Sequence, residues 1–189
     1  MEMNDRLRDR NSFRNMKTRV GFIILVISLQ LVGYGQDALQ DNRAEVHALV
    51  TQIYSEVSGE GLEAVNWDKV REFFQEDAVI ILRTSRDETK QFTVDQFIQD
   101  FKDFYQSPRV RGIGFKEEVV GIESRIYHEM AWIGVVYSAT ILNTEPVSQK
   151  GIDFWLLTRT GEGWKVVAVT NEVIPADGEL PAWVDAQIE

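Results

Sequence analysis

The sequence predicts an α+β fold, in which three N-terminal helices pack on a curved antiparallel sheet. Apolar residues recur at helical spacing in three stretches before residue 107, and almost everything from residue 110 to residue 174 has the composition of strands. Because no helices alternate with the later strands, a helix-covered antiparallel sheet is favoured over a doubly wound parallel one.

The first helix is predicted over residues 42–58, where apolar side chains recur three and four residues apart and so share one face. Gly59 and Gly61 follow directly and are expected to end it. The shared face consists of Val46, Leu49, Val50, Ile53, Tyr54 and Val57.

Two further helices are predicted before the strands begin. Asn66 is expected to cap a short helix, and the β-branched run at 78–82 predicts a short strand after it. Residues 83–91 are polar and are predicted to form a loop. A capping-box pattern at residues 93–96 starts the third helix, which Ser107-Pro108 ends. The apolar stripes are Trp67, Val70, Phe73 and Phe74 in the second helix, and Phe97, Ile98, Phe101, Phe104 and Tyr105 in the third.

The second half of the chain predicts four long strands joined by short connections. Gly161-Glu162-Gly163 indicates a hairpin turn, residues 143–146 a looser turn, and the tail is expected to fold back around Trp183. The strand over 130–143 is largely apolar on both faces, so both faces are expected to be covered. The helices cover one face, and we expect a second copy of the chain, in a homodimer, to cover the other. The strands are placed at 110–127, 130–143, 150–160 and 164–174.

Length and composition indicate a single globular domain. The chain has 189 residues, of which 44% are hydrophobic and 26% charged. We place the domain at residues 36–189, with 175–189 as its C-terminal tail. The net charge of −10 disfavours binding to nucleic acid or to an anionic membrane surface. The absence of cysteine excludes disulfides and a Cys nucleophile.

The first 35 residues are predicted to be a signal peptide. Lys17 and Arg19 precede an apolar run over 20–32, and Gly33-Tyr34-Gly35 supplies small residues for cleavage near Gly35-Gln36. The run is shorter than the roughly 20 residues that a membrane-spanning helix needs. The alternative is an uncleaved anchor, and Met16 is an alternative start, which would make residues 1–15 an over-long N-terminus. We therefore expect an exported protein, periplasmic or secreted, with no membrane contact after signal removal.

The order of elements over roughly residues 42–174 resembles the nuclear-transport-factor-2-like (NTF2-like) superfamily, within it the SnoaL-like and ketosteroid-isomerase-like group. The resemblance implies a cone-shaped α+β barrel of the cystatin-like type, whose sheet wraps around the first helix and encloses a largely apolar cavity. Members of the superfamily isomerise, cyclise, dehydrate or hydrolyse small hydrophobic molecules, or only bind them, so the fold does not choose a function. The resemblance is carried by Ile53-Tyr54-Ser55, by the run from Asn66-Trp67-Asp68 through Phe73-Phe74 to Ala78-Val79, and by the run from Ile152-Asp153-Phe154 to Gly163-Trp164.

Tyr54 and Asp153 are the candidate catalytic residues. Tyr54 lies on the apolar face of the first helix, near the place of the oxyanion-donor tyrosine of ketosteroid isomerases, and Asp153 interrupts an apolar strand where those enzymes carry a protonated aspartic acid. Both also have structural interpretations, Tyr54 as a core residue and Asp153 as a solvent-facing one. The isomerases' general base corresponds to a position near Leu82, where this chain has no carboxylate, and this departure disfavours their reaction.

The candidate ligand-binding residues are aromatic and polar side chains of the first helix and the strands. The aromatic ones would stack on a flat ligand, although such residues more often pack in a core or an interface, and a solvated strand end explains Asn171 equally well. His128 is expected in an exposed turn. No metal-ligand spacing such as His-x-x-x-His occurs, so we expect neither a metal nor another cofactor. The candidates are His47, Phe115, Trp132, Tyr137, Trp155 and Asn171.

The sequence thus favours an exported domain that binds a small hydrophobic molecule in a hydrophobic pocket. One alternative is an isomerase, cyclase or lyase that uses Tyr54 and Asp153 to polarise a carbonyl. The other is a non-catalytic homodimer that binds a partner protein. If the enzymatic alternative holds, the two side chains must point into one cavity.

Overall fold

The computed structural model of the chain describes residues 42–85, 88–143 and 145–185. The predicted signal peptide lies outside these residues, so it stays a prediction. Within the described ranges, no helix is both long and apolar enough to cross a membrane.

The predicted helices are present, and their caps are those that the sequence indicates. Helix α1 occupies residues 42–56, and a single 3-10 turn at Leu62–Ala64 separates it from α2 at Trp67–Glu72. The Asn66 side chain accepts a hydrogen bond from the Lys69 backbone N–H and so caps α2. Helix α3 occupies Val94–Gln106 and begins with a complete capping box between Thr93 and Gln96.

Six strands form one mixed sheet in the order β2-β1-β6-β5-β4-β3. All neighbouring strands are antiparallel except β1 and β6, which are parallel. The prediction of a wholly antiparallel sheet was therefore wrong at this pair. The connection through α3 leaves β3 running in the same direction as β2, and the three reversals that follow make β6 parallel to β1. The strands are β1 at Phe74–Ser85, β2 at Glu88–Phe92, β3 at Phe115–Tyr127, β4 at Met130–Ile141, β5 at Val147–Thr160 and β6 at Gly163–Val173.

Two strand predictions were wrong at their boundaries. The polar stretch 83–91 is not a loop, because it completes β1 and supplies most of β2. Strand β2 is an exposed edge strand, and its polar side chains do not prevent its pairing with β1. Residues 110–114 are turns rather than strand, since Gly112 and Gly114 have φ angles of 72° and 103°, which strands do not use.

One face of the sheet, which we call the inner face, packs against the helices. Buried residues of α1 lie in the same core cluster as inner-face residues of every strand from β3 to β6, and α3 packs on β1. Register shifts in the pairing of β3 with β4 and of β5 with β6 bend the sheet around this core.

The opposite face, the outer face, is covered by no described helix and carries large apolar side chains. Phe154 and Leu156 of β5 are 41% and 46% exposed, and Val79 and Ile81 of β1 are each exposed by more than a third. The tail forms a four-residue helix, α4 at Ala182–Asp185, which includes Trp183 and lies against β3.

Candidate functional site

A small cavity between the helices and the inner face contains most of the predicted site residues. Its volume is about 110 Å³, and α1, α3 and five strands contribute to its wall. The apolar part consists of Ile53, Val57, Leu82, Phe97, Phe101 and Val169, and the remaining lining residues are Tyr54, Glu117, Tyr137, Asp153, Trp155 and Asn171.

Tyr54 and Asp153 meet in this cavity. The Tyr54 hydroxyl donates a hydrogen bond to Asp153 Oδ2 and accepts one, of 3.2 Å, from the indole N–H of Trp155. Tyr54 is 3% exposed, because its position on the apolar stripe of α1 turns it toward the sheet. Asp153 and Trp155 are two residues apart on β5 and therefore share the inner face.

The second oxygen of Asp153 is buried without a hydrogen-bond partner. Asp153 is 8% exposed, and its Oδ1 is the buried side-chain polar atom without a partner among the described residues. Burial raises the pKa of Asp153 to about 7, and the hydrogen bond from Tyr54 opposes this rise only in part. Burial, together with the neighbouring Asp153 carboxyl, holds the pKa of Tyr54 well above its usual range. Tyr54 is therefore a hydrogen-bond donor at neutral pH.

Glu117 of β3 is a second acid in the cavity, and the sequence interpretation missed it. Burial raises its pKa to about 8, and the Asp153 carboxyl adds to the rise by like-charge repulsion. The signal for its orientation was in the sequence, because Phe115, Glu117 and Val119 alternate along one strand and share a face. Leu82, which lies near the position of the isomerases' general base, also lines this cavity. Glu117 therefore places an acid in the same space from another strand.

Asn171 and Tyr137 complete the polar lining. The Asn171 side-chain oxygen accepts a 2.6 Å hydrogen bond from the Arg83 backbone N–H, and its amide nitrogen donates to the Tyr137 hydroxyl at 3.5 Å. The Tyr137 and Trp155 rings lie 5.8 and 5.9 Å from the Tyr54 ring, which they contact on two sides. Three predicted ligand-binding residues, Tyr137, Trp155 and Asn171, thus line the cavity with the two predicted catalytic ones.

The structure places the other three candidates away from this cavity. His47 lies two turns of α1 before Tyr54, and its Nε2 is 2.9 Å from Ser124 Oγ; burial, followed by Arg43, lowers its pKa. Phe115 packs among aromatic rings of α3, with its ring centroid 4.9 Å from that of Phe104. Trp132 is on the outer face against Phe154, at 5.4 Å, because it alternates with the inward Ile133.

His128 lies at the β3–β4 turn with a φ of 51°, as its predicted position between two strands implies. The described residues contain no group of three or more His, Asp or Glu side chains arranged to hold a metal ion.

Three larger but more open grooves are present on the surface of the described residues. One lies between the start of β5 and the segment 174–180, and a second lies on the outer face around Met130, Trp132 and Leu156; neither is lined by a described acid or histidine. The third lies between β2 and α3, where Asp100 and Asp103 line the most open of the three. The smaller inner cavity is therefore the better candidate site, because perturbed titratable groups and an unpartnered polar atom occur together there.

Solved structures resemble the chain in fold. An NTF2-like protein with a cystatin-like fold from Novosphingobium aromaticivorans is 14% identical, with a TM-score of 0.57 over 82% of this chain and 94% of that one. A provisionally assigned dehydratase of the NTF2-like family from Streptomyces avermitilis is 9% identical, with a TM-score of 0.55 over 70% and 96%. The calcium/calmodulin-dependent kinase II hub homology domain of Chlamydomonas reinhardtii is 12% identical, with a TM-score of 0.54 over 70% and 98%.

No protein-family model matches the chain, and no curated protein matches it. At these identities the structural likeness establishes the cystatin-like, NTF2-like fold that the sequence predicted. It carries no information on activity.

Proposed function

We propose, from the NTF2-like fold and the cavity inside it, that the chain is a small-molecule-binding domain whose ligand lies against Tyr54 and Asp153. The observation that carries the proposal is the unpartnered Oδ1 of Asp153, buried in the wall of a cavity. A buried polar atom without a partner is costly, and a ligand that hydrogen-bonds to it removes that cost.

The cavity limits the size of the ligand. An apolar cavity of about 150 Å³ holds benzene, so the 110 Å³ available here corresponds to about five non-hydrogen atoms. The ligand is therefore a small molecule, or the end of a larger one whose remainder leaves the cavity. Steroid-sized molecules do not fit inside without rearrangement of the walls.

The lining predicts the shape of the ligand as well. Aliphatic and aromatic side chains surround most of the space, so the body of the ligand is apolar. Tyr54, Asp153 and Trp155 form one hydrogen-bonded group in the wall, so we expect the ligand to place a polar group beside it. This combination of apolar walls and few polar contacts is typical of ligand sites.

The test is a thermal-shift screen of the chain against molecules of about this size, each with one polar group. A ligand at 100 times its dissociation constant adds roughly 2.7 kcal/mol to the free energy of unfolding, which is readily measured. We expect Asp153→Asn and Tyr54→Phe to reduce the shift, since both change the polar end of the cavity.

Tyr105→Phe is the matched control. Tyr105 is also buried, but its hydroxyl donates to the Val57 carbonyl oxygen at 2.8 Å, and it is not among the lining residues. The variant should keep the ligand-induced shift even though it lowers the stability of the free protein. Hits that respond equally to all three variants would contradict the proposal.

A second candidate function is an isomerase, cyclase or lyase acting on a small carbonyl compound, and Glu117 is the observation that favours it. With a pKa near 8, Glu117 in its ionised fraction is a base placed in the same cavity as the Tyr54–Asp153 pair. It would take a proton from the carbon beside a carbonyl that protonated Asp153 polarises.

The variant Glu117→Gln distinguishes catalysis from binding without turnover. Glu117→Gln should abolish turnover and retain ligand binding if the chain is an enzyme. If the chain only binds, no molecule that shifts the melting temperature is converted into product, as followed by NMR of the ligand, by the wild type or the variant.

We also infer that the outer face binds a second copy of the chain. Its apolar side chains lie in two neighbouring rows that cross β1, β6 and β5. One row consists of Val79, Ala168 and Leu156, and the other of Ile81, Thr170 and Phe154. A continuous exposed apolar patch of this kind is typical of a protein interface. Light scattering should give the mass of a dimer for the wild type and of a monomer for Leu156→Asp. Thr51→Asp, at an exposed position of α1 on the other side of the sheet, is the control.

Export remains a proposal that rests on the sequence. A culture that expresses the full chain should contain, outside the cytoplasm, a protein whose N-terminal residue is Gln36. A product that retains residues 20–32 and sediments with membranes would indicate the uncleaved anchor instead.

A further inference from the structure

Among the described residues, the cavity contains two acids and no basic residue. The twelve lining residues include no Lys, Arg or His. The ion pairs of the described residues all use other acids, so within that part of the chain neither Asp153 nor Glu117 has a counter-charge. An acid removed from water without a partner is stabilised in its ionised form by a cation, so a bound cation would favour both carboxylates here.

Aromatic rings form much of the remaining wall. Tyr54, Tyr137 and Trp155 surround the Asp153 side, and Phe97 and Phe101 close the side of α3. The face of an aromatic ring carries partial negative charge, and several faces around one space attract a cation. Carboxyls and aromatic faces therefore favour the same kind of ligand.

Three hydrogen-bond donors in the cavity wall are already used. The Tyr54 hydroxyl donates to Asp153, and the Trp155 N–H donates to Tyr54. The Asn171 amide donates to Tyr137, while its oxygen accepts from the Arg83 backbone. Apart from the Tyr137 hydroxyl, what remains available on the polar side is the acceptor capacity of ionised carboxyls, above all Asp153 Oδ1. A ligand that donates hydrogen bonds matches this arrangement better than a carbonyl, which only accepts them.

We propose that the polar end of the ligand is a protonated amine, which donates to Asp153 Oδ1 while its alkyl groups lie on the surrounding rings. This inference rests on the proposed function, since it names the chemical class of the ligand in the same cavity. The volume restricts the ligand to an alkylammonium ion of about five non-hydrogen atoms, or to the ammonium end of a longer amine.

The pH dependence of binding distinguishes an amine from a carbonyl ligand by its sign. The titratable and charged groups that influence this space are Asp153 on β5, Glu117 on β3, Tyr54 on α1, Tyr137 on β4, Tyr105 on α3 and, more distantly, Glu172 on β6. Of these, the pKa of Asp153 is about 7 and that of Glu117 is about 8. An ammonium ion binds the ionised carboxyls, so its affinity rises with pH; a carbonyl needs the protonated carboxyl of Asp153 as donor, so its affinity falls.

The experiment compares three probes of five non-hydrogen atoms each: isobutylammonium, isobutanol and butan-2-one. Their dissociation constants for the full chain are measured by NMR titration at about pH 6 and about pH 9, on either side of both carboxyl pKa values. An alkylamine has a pKa near that of lysine, about 10.4, so this probe stays charged at both pH values. At the higher pH, we expect isobutylammonium to bind roughly 10-fold more tightly than isobutanol. At the lower pH, we expect isobutylammonium to bind more weakly than it does at the higher pH.

Two cavity variants and one surface variant locate the binding. Asp153→Asn and Glu117→Gln keep the shapes of the side chains and remove one acid each, so each should weaken isobutylammonium binding by roughly 10-fold. Glu118→Gln is the control, because Glu118 is 57% exposed on the outer face and pairs with Lys116. It removes the same charge from the chain and should leave the affinity unchanged, which excludes general attraction to an acidic protein.

Each contrary outcome has a distinct meaning. If the ketone or the alcohol binds in the cavity and isobutylammonium does not, the amine is excluded and the proposed function stands. If isobutylammonium binds equally well to Asp153→Asn, Glu117→Gln and Glu118→Gln, it binds outside the cavity and the inference fails. If no probe binds at either pH, both the inference and the proposed function are wrong.

Discussion

In an ordinary half-buried strand, apolar side chains face the core and polar ones face solvent. Two neighbouring residues on the two faces of β5 reverse this arrangement. The inner face buries the carboxyl group of Asp153, while the outer face exposes the neighbouring Phe154 at 41%. Hydrophobic burial alone would place them the other way round. Each face therefore departs from the arrangement that best stabilises an isolated domain, and such departures are expected where a protein binds something. The inner face has a small cavity with acids, and the outer face has an apolar patch.

The most direct test of the comparison uses two adjacent leucines. Leu157 is 2% exposed on the inner face and Leu156 is 46% exposed on the outer face. Leu157→Ala should lower the free energy of unfolding by about 2–5 kcal/mol, because it leaves a cavity in the packed core. Leu156→Ala should cost less than about 1 kcal/mol in the monomer. Denaturant unfolding of dilute protein measures both, and equal costs would show that the outer face is covered even in the monomer.

The acids of the inner face should make stability fall as the pH rises. The pKa of Asp153 is about 7 in the folded chain against an ordinary value of 3.8, so between these values the folded state binds more protons than the unfolded state. The free energy of unfolding then decreases with pH across this range, on the order of a few kcal/mol. Melting temperatures from about pH 5 to about pH 9 should fall for the wild type and less steeply for Asp153→Asn, which retains the second acid, Glu117. Parallel curves would mean that Asp153 is solvated.

A pair of glycines compares how tightly the two faces are packed. A Cβ on Gly151, on the inner face, would overlap the ring of Tyr137, which is fixed by the packing around it. A Cβ on Gly134, on the outer face, would lie 3.0 Å from the tip of the Trp132 ring, which can move toward solvent. Gly151→Ala should therefore cost about 1–3 kcal/mol, and Gly134→Ala less than about 1 kcal/mol. Thermal unfolding measures both, and a larger cost at Gly134 would show that Trp132 is held in place.

Two adjacent acids of β3 compare the faces through their dependence on pH. Glu118 forms an exposed ion pair with Lys116 at 2.6 Å, and such pairs contribute about 0–1 kcal/mol. Glu118→Gln should therefore change stability little at any pH. Glu117→Gln should raise stability by an amount that grows as the pH rises from the ordinary pKa of 4.5 to the folded pKa of about 8 and is then constant, because it removes an acid whose ionised form is disfavoured by its surroundings. Urea unfolding at about pH 6 and about pH 9 compares them, and identical profiles would contradict the inward orientation of Glu117.

The sequence by itself determined the elements whose signals are local. The stripe of α1, the Asn66 cap, the capping box of α3 and the strands at residues 130–174 depend on spacing between near neighbours, and all are present. Part of the cavity lining follows from the same local spacing. Asp153 and Trp155 are two residues apart in a predicted strand, so alternation places them on the same face.

Only the tertiary structure decided which face of β5 the helices cover. Alternation is symmetric, so it groups Asp153 with Trp155 and Phe154 with Leu156 but does not say which group the helices cover. The same ambiguity hid Glu117 and misplaced Trp132. The parallel pairing of β1 with β6, and the edge strand β2 in a polar stretch, depend on partners distant in the chain, which local composition does not encode. The candidate site is a product of such long-range pairing, because Tyr54, Glu117 and Asp153 come from three separate elements that meet only in the folded chain.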